Sequence, residues 1–65
     1  MESRLKEILE EEGRTQKWLC QKAKVTSTTM TSLVTKKRLP TLPVAYRIAN
    51  ALGKKIEDIW YDEEQ

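Results

Sequence analysis

The chain has no histidine, no phenylalanine and a single cysteine, Cys20, in 65 residues. The missing histidine removes the commonest general base and the commonest zinc ligand. A lone cysteine cannot close an internal disulfide. Gly13 and Gly53 are the only glycines, so no glycine-rich phosphate loop can be assembled. No apolar run is long enough for a signal peptide or a membrane span, so a cytoplasmic protein is expected. Carboxylates and lysines alone remain for catalysis, and no pattern gathers them into a pocket. The chain is expected to be no enzyme and to hold no metal or cofactor.

Cations, by contrast, are concentrated. The net charge of +2 conceals three zones. Residues 1–13 carry −3, residues 14–38 carry +7 and residues 39–65 carry −2. The central zone holds Arg14, Lys17, Lys22, Lys24, Lys36, Lys37 and Arg38 without one acidic residue. Isolated lysines are ordinary solvated surface. Seven cations with no intervening carboxylate instead suggest a face that neutralises phosphates. At this length the chain is one small domain that needs efficient helix packing and would gain from a dimer partner.

Hydrophobic spacing predicts five short helices. Over residues 3–12, Leu5, Ile8 and Leu9 fall at i, i+3 and i+4, with Ser3 as N-cap and Gly13 as terminator. Thr15 caps a second helix over 15–23, with Leu19, Cys20 and Ala23 inward and Trp18 off that stripe. Val25 reads as a plug in the short connection that follows. Thr26 caps a third helix over 27–35, with Met30, Leu33 and Val34 inward. Ser and Thr have poor helix propensity, so this third helix must be held by packing. Lys36 to Pro40 is a basic loop. Thr41 and Pro43 open a fourth helix over 42–52, with Val44, Ile48, Ala51 and Leu52 inward and Ala45 and Ala49 at close-packing positions. A fifth covers 56–61, and 62–65 reads as a flexible tail. The fold class is all-α, one domain over 1–65.

Several segments together resemble the phage repressor/Cro-type helix-turn-helix (XRE) family. They are Gly13-Arg14-Thr15-Gln16-Lys17-Trp18-Leu19-Cys20, Val25-Thr26, Met30-Thr31-Ser32-Leu33, Ala45 to Gly53 and Ile56-Glu57-Asp58-Ile59-Trp60. The resemblance runs from about Arg4 to Trp60. The Thr-Gln-x-x-Leu segment alone is weak, but the full spacing is specific. Cys20 stands where the family usually has alanine. Lys24 stands where glycine often takes a positive φ in the turn. Val34 replaces a common glutamate, and Lys36 a common glycine.

The resemblance implies a lambda-repressor-like helix-turn-helix DNA-binding domain, helix 2 across the DNA backbone and helix 3 in the major groove. It places Ser27, Thr28, Thr31 and Ser32 at base edges. Gln16 matches the family's phosphate-contacting glutamine, at the positive end of helix 2. Lys17, Lys36, Lys37 and Arg38 are further phosphate candidates. Trp60 and Tyr61 either cap the core or, with Ile56 and Ile59, form a homodimer patch.

The expected function is that of a sequence-specific transcriptional regulator of bacterial or phage origin, acting on a double-stranded operator. The alternative is a protein-interaction module, an anti-repressor or adaptor, that keeps the fold. The acidic first helix allows this, and the intact basic run weighs against it. A regulatory protein partner is compatible with either. RNA binding ranks last, because no aromatic stacking platform is present.

Overall fold

In a computed structural model, residues 2–62 are described. Their element order is β1 (Glu2–Ser3), α1 (Leu5–Glu12), α2 (Gln16–Ala23), α3 (Ser27–Val34), α4 (Leu42–Leu52), α5 (Ile56–Ile59) and β2 (Trp60–Tyr61). The five expected helices are present among the described residues, with two departures at the ends of the chain. The first helix starts at Leu5 and not at residue 3. The last stops at Ile59, and Trp60–Tyr61 continues as strand. Within the expected tail, residues 63–65 lie outside the described residues.

Both departures have one cause. Glu2–Ser3 and Trp60–Tyr61 pair antiparallel, Glu2 opposite Tyr61 and Ser3 opposite Trp60. The Arg4 N–H extends this ribbon by donating to the Ile59 carbonyl at 2.8 Å. The all-α expectation thus gains a two-stranded clasp that joins the two ends. Ser3 still serves α1, since its Oγ accepts from the Leu5 N–H at 3.2 Å. It does so from the strand, while Arg4 holds the N-cap position.

Each helix ends for a local reason. Gly13 (φ +66°) closes α1 with its N–H on the Glu10 carbonyl and the Arg14 N–H on the Leu9 carbonyl. Gly53 (φ +68°) repeats the device after α4, with the Lys54 N–H on Ala49. Pro43 sits in the first turn of α4, where its missing N–H costs no helical bond. The Asp58 carboxylate accepts from the Lys55 N–H at 3.2 Å and fixes the start of α5.

The core is built largely where the periodicity puts it, except that Cys20, Val44 and Ala51, expected inward, are only half-buried. Leu5, Ile8 and Leu9 of α1 are buried with Leu19 and Ala23 of α2 and Met30, Leu33 and Val34 of α3. Ala45, Ile48, Ala49 and Leu52 of α4 complete it with Ile59 and Trp60. α2 packs on α4 and on α3, and small residues on these faces (Ala23, Ala45, Ala49) permit the close approach. Val25 is half-buried at the edge of this core and does not form a fully enclosed plug.

Candidate nucleic-acid interface

The two central helices are set by matching threonine caps. The Thr15 Oγ1 accepts from the Trp18 N–H at 3.0 Å and opens α2. The Thr26 Oγ1 accepts from the Thr29 N–H at 3.2 Å and opens α3. Each cap satisfies a backbone donor that the helix leaves without an internal partner, a contribution of about 1 kcal/mol. Between them Lys24 takes a left-handed conformation (φ +59°, ψ +50°). The following Val25 N–H returns to the Cys20 carbonyl at 3.0 Å. The glycine-like geometry expected at Lys24 is therefore present with a side chain attached. The half-buried Cys20 supports the same turn, its thiol lying 3.9 Å from the Thr26 carbonyl.

α3 divides into two faces. Met30 and Leu33 are fully enclosed, and Val34 is buried beside them. Ser27, Thr28 and Thr31 are exposed on the other side, and Ser32 is half-buried at the boundary. Thr35 ends the helix by donating its hydroxyl to the Thr31 carbonyl at 2.7 Å. Lys36 then takes a second left-handed conformation (φ +65°) and turns the chain away from α3.

The phosphate-contact candidates fall into two groups. Gln16 and Lys17 are exposed in the first turn of α2. Gln16 lines a groove of about 210 Å³ with Lys6, Glu10 and Arg14, closed by Val34 at the end of α3. The start of α2 and the end of α3 thus share one depression. Lys36 and Arg38 form the second group and line a common pocket of about 140 Å³ with Ser3, Leu33 and Trp60. Lys37 is exposed between them. The Lys36 ammonium lies 3.9 Å from the Glu2 carboxylate, with both side chains about half exposed. It must exchange this partner for any phosphate it grips.

One contact lies outside the expected phosphate set. The Arg14 guanidinium stands over the Trp18 ring, 4.3 Å from its centroid. This accounts for a tryptophan off the apolar stripe, since its ring face carries a cation at the mouth of α2. Arg14 precedes the Thr15 cap, so the pair forms where the chain enters α2 and helical spacing does not announce it.

The candidate dimer patch is dispersed. Ile59 and Trp60 are core residues, at 0% and 5% exposure, and present no surface to a partner. Burying Trp60 follows from its place in the β ribbon, opposite the buried Ser3. Ile56 is half-buried, and only Tyr61 of the four is exposed.

Two short capped helices joined by a tight turn, the second with a polar outward face and basic residues at both flanks, define a helix-turn-helix domain of the nucleic-acid-binding type. A family model for the Cro/C1-type HTH DNA-binding domain matches residues 4–65. The chain belongs to that family, and double-stranded DNA is its partner. A search of curated proteins returns no match. No helix among the described residues is long and apolar enough to cross a membrane.

Proposed function

We propose that the chain is a sequence-specific transcriptional regulator of bacterial or phage origin, acting in the cytoplasm as a homodimer on a double-stranded operator. α3 enters the major groove, with Ser27, Thr28, Thr31 and Ser32 at base edges. Gln16, Lys17, Lys36, Lys37 and Arg38 contact phosphates on either side. The observation that carries this reading is the two-faced α3. Its apolar side is enclosed, while Ser27, Thr28 and Thr31 stand exposed, as do Lys17, Lys36, Lys37 and Arg38 on the neighbouring segments.

The outward hydroxyls set the mode of recognition. Arginine and lysine on guanine, and asparagine and glutamine on adenine, discriminate by ~1–3 kcal/mol per bidentate contact. None of these residues lies on α3. Serine and threonine donate or accept singly, and threonine methyls touch thymine methyls. Base readout is therefore permissive, and DNA shape and half-site spacing supply more of the specificity. Affinity rests on the cations and falls steeply with salt.

The test is selection of a random duplex library at two salt concentrations, followed by titration of two variants on the selected DNA. Enriched palindromes are expected. Arg38→Gln should weaken binding alike on all sequences and lower the salt slope by about one unit. Thr28→Ala should change sequence preference more than total affinity. Retention without enrichment would refute sequence-specific regulation. Absence of retention at low salt would move the reading to a protein-interaction module.

A further inference from the structure

The entry to α2 carries a cation besides Lys17. Arg14 is exposed, and its guanidinium stands 4.3 Å from the centroid of the Trp18 ring. Trp18 is half-buried and packs against the core. The backbone is fixed on both sides of this contact. The Arg14 N–H donates to the Leu9 carbonyl at 2.9 Å, where α1 closes. The Trp18 N–H donates to the Thr15 Oγ1 at 3.0 Å, in the first turn of α2. A long side chain is thus tethered at its root and at its tip. Rotamer freedom that a loose arginine would lose on gripping a ligand is already lost here.

The charge of Arg14 is not committed inside the domain. Among the described residues, ion pairs join Arg4 to Glu11, Lys36 to Glu2 and Lys54 to Glu12, and none holds Arg14. A ring engages a guanidinium by its face and leaves the in-plane N–H donors open to another group. Arg14 also lines the groove of about 210 Å³ that holds Gln16, Lys6 and Glu10. Two cations there outweigh one carboxylate, so the ligand that fits is an anion. The planar donor fork of arginine matches two oxygens of a phosphate.

We propose that Arg14 is a further phosphate-contacting residue and that Trp18 is its positioning residue. The ring holds the guanidinium beside the Gln16 amide, so that both grip the same stretch of DNA backbone. Trp18 acts only through Arg14. The Thr-Gln-x-x-Leu segment leaves the position of Trp18 unspecified and does not reach Arg14, so the pair belongs to this chain and not to the pattern. The assignment rests on the DNA-binding reading and deepens it.

The test is fluorescence anisotropy of a labelled random-sequence duplex of ~20 base pairs, titrated with the whole chain from ~50 to ~200 mM salt. Arg14→Gln should weaken binding roughly tenfold and lower the slope of log affinity against log salt by about 0.9, the share of one phosphate. Arg14→Lys should keep the slope and recover only part of the affinity, because an ammonium lacks the fork. Trp18→Leu should keep the slope and weaken binding ~2–5-fold, whereas Trp18→Phe, which retains a ring face, should bind within about twofold of the parent. Trp18→Met takes the place of Trp18→Leu should the latter lose its helical circular dichroism. Added to Arg14→Gln, Trp18→Leu should have no further effect on affinity, a coupling that a merely structural role does not produce. The proposal is overturned if Arg14→Gln keeps the parental slope, or if Trp18→Leu leaves affinity unchanged or lowers it equally with and without Arg14. Arg38→Gln, measured alongside, separates the two readings. A slope lowered by Arg38→Gln alone leaves DNA binding standing and removes only the role of Arg14. No binding by the parent at ~50 mM salt overturns both.

Discussion

Lys24→Gly should stabilise the domain, although it removes a side chain and a charge. Lys24 ends α2 at φ +59° and ψ +50°, where Cβ crowds the following carbonyl. An L-residue there is disfavoured by roughly 1–2 kcal/mol, and glycine escapes that cost. Glycine also gains freedom in the unfolded chain, which returns ~0.4–1 kcal/mol. The net gain is about 0.5–1 kcal/mol. For a domain of this size 1 kcal/mol moves Tm by ~4–8 °C, so a rise of roughly 2–8 °C is expected. Thermal unfolding followed by far-UV circular dichroism reads it directly. Lys24→Ala is the control, since it loses the charge but keeps Cβ in the left-handed well. It should stay within ~0.5 kcal/mol of the parent, as exposed substitutions do. A Lys24→Gly variant melting at or below the parent would refute the strain argument. An equal rise in Lys24→Ala would shift the cause from backbone to charge.

Lys36→Gly relieves the second left-handed residue but loses the Glu2 ion pair, which at half exposure contributes only ~0–1 kcal/mol. Its Tm should be unchanged or slightly raised while the salt slope of DNA binding falls by about one unit, so a variant that loses stability and keeps its slope contradicts both assignments. Thr26→Ala removes the oxygen that accepts from the Thr29 N–H and should cost about 1 kcal/mol in urea unfolding. An unchanged midpoint would show that α3 does not depend on its cap. Trp60→Ala empties a site only 5% exposed and should cost ~3–5 kcal/mol, enough to leave much of so small a domain unfolded at 25 °C. A folded Trp60→Ala with only a lowered self-association would place Trp60 at an interface.

The interior helices were legible because their signals are local. Thr15, Thr26 and Thr41 mark the starts of α2, α3 and α4, and Gly13 and Gly53 mark the ends of α1 and α4. Met30, Leu33 and Val34 define the inward face of α3 without reference to any other segment. The ribbon had no such signal. Two-residue strands display no alternation, and the pairing of Ser3 with Trp60 joins residues from opposite ends of the chain. Consequently the local pattern points to Ser3 as a helix cap and leaves Trp60 between core and surface. The exposed apolar side chains Leu39, Leu42 and Tyr46 are half legible in the sequence. Leu42 and Tyr46 are spaced i, i+4 and lie off the stripe of Val44, Ile48 and Leu52, which marks a second apolar face on α4. That Leu39 and Ile56 join them depends on how the loop and α5 fold back, which periodicity within α4 does not encode.

The composition of α3 separates what folding demands from what it leaves free. Five of the eight residues from Ser27 to Val34 are serine or threonine, so the segment is a weak helix by itself. It is held at one end by Thr26 and along one side by Met30, Leu33 and Val34. Alanine, glutamine or arginine at the exposed Ser27, Thr28 and Thr31 would raise helix propensity, by a few tenths of a kcal/mol each. The fold therefore has no use for hydroxyls there, and pays a small penalty to carry them. Short hydroxyl side chains do permit the helix axis to approach a partner closely while still offering hydrogen bonds of either polarity. That combination suits a helix lying deep in a groove, where affinity comes from cations at its flanks and the face itself needs to fit many edges.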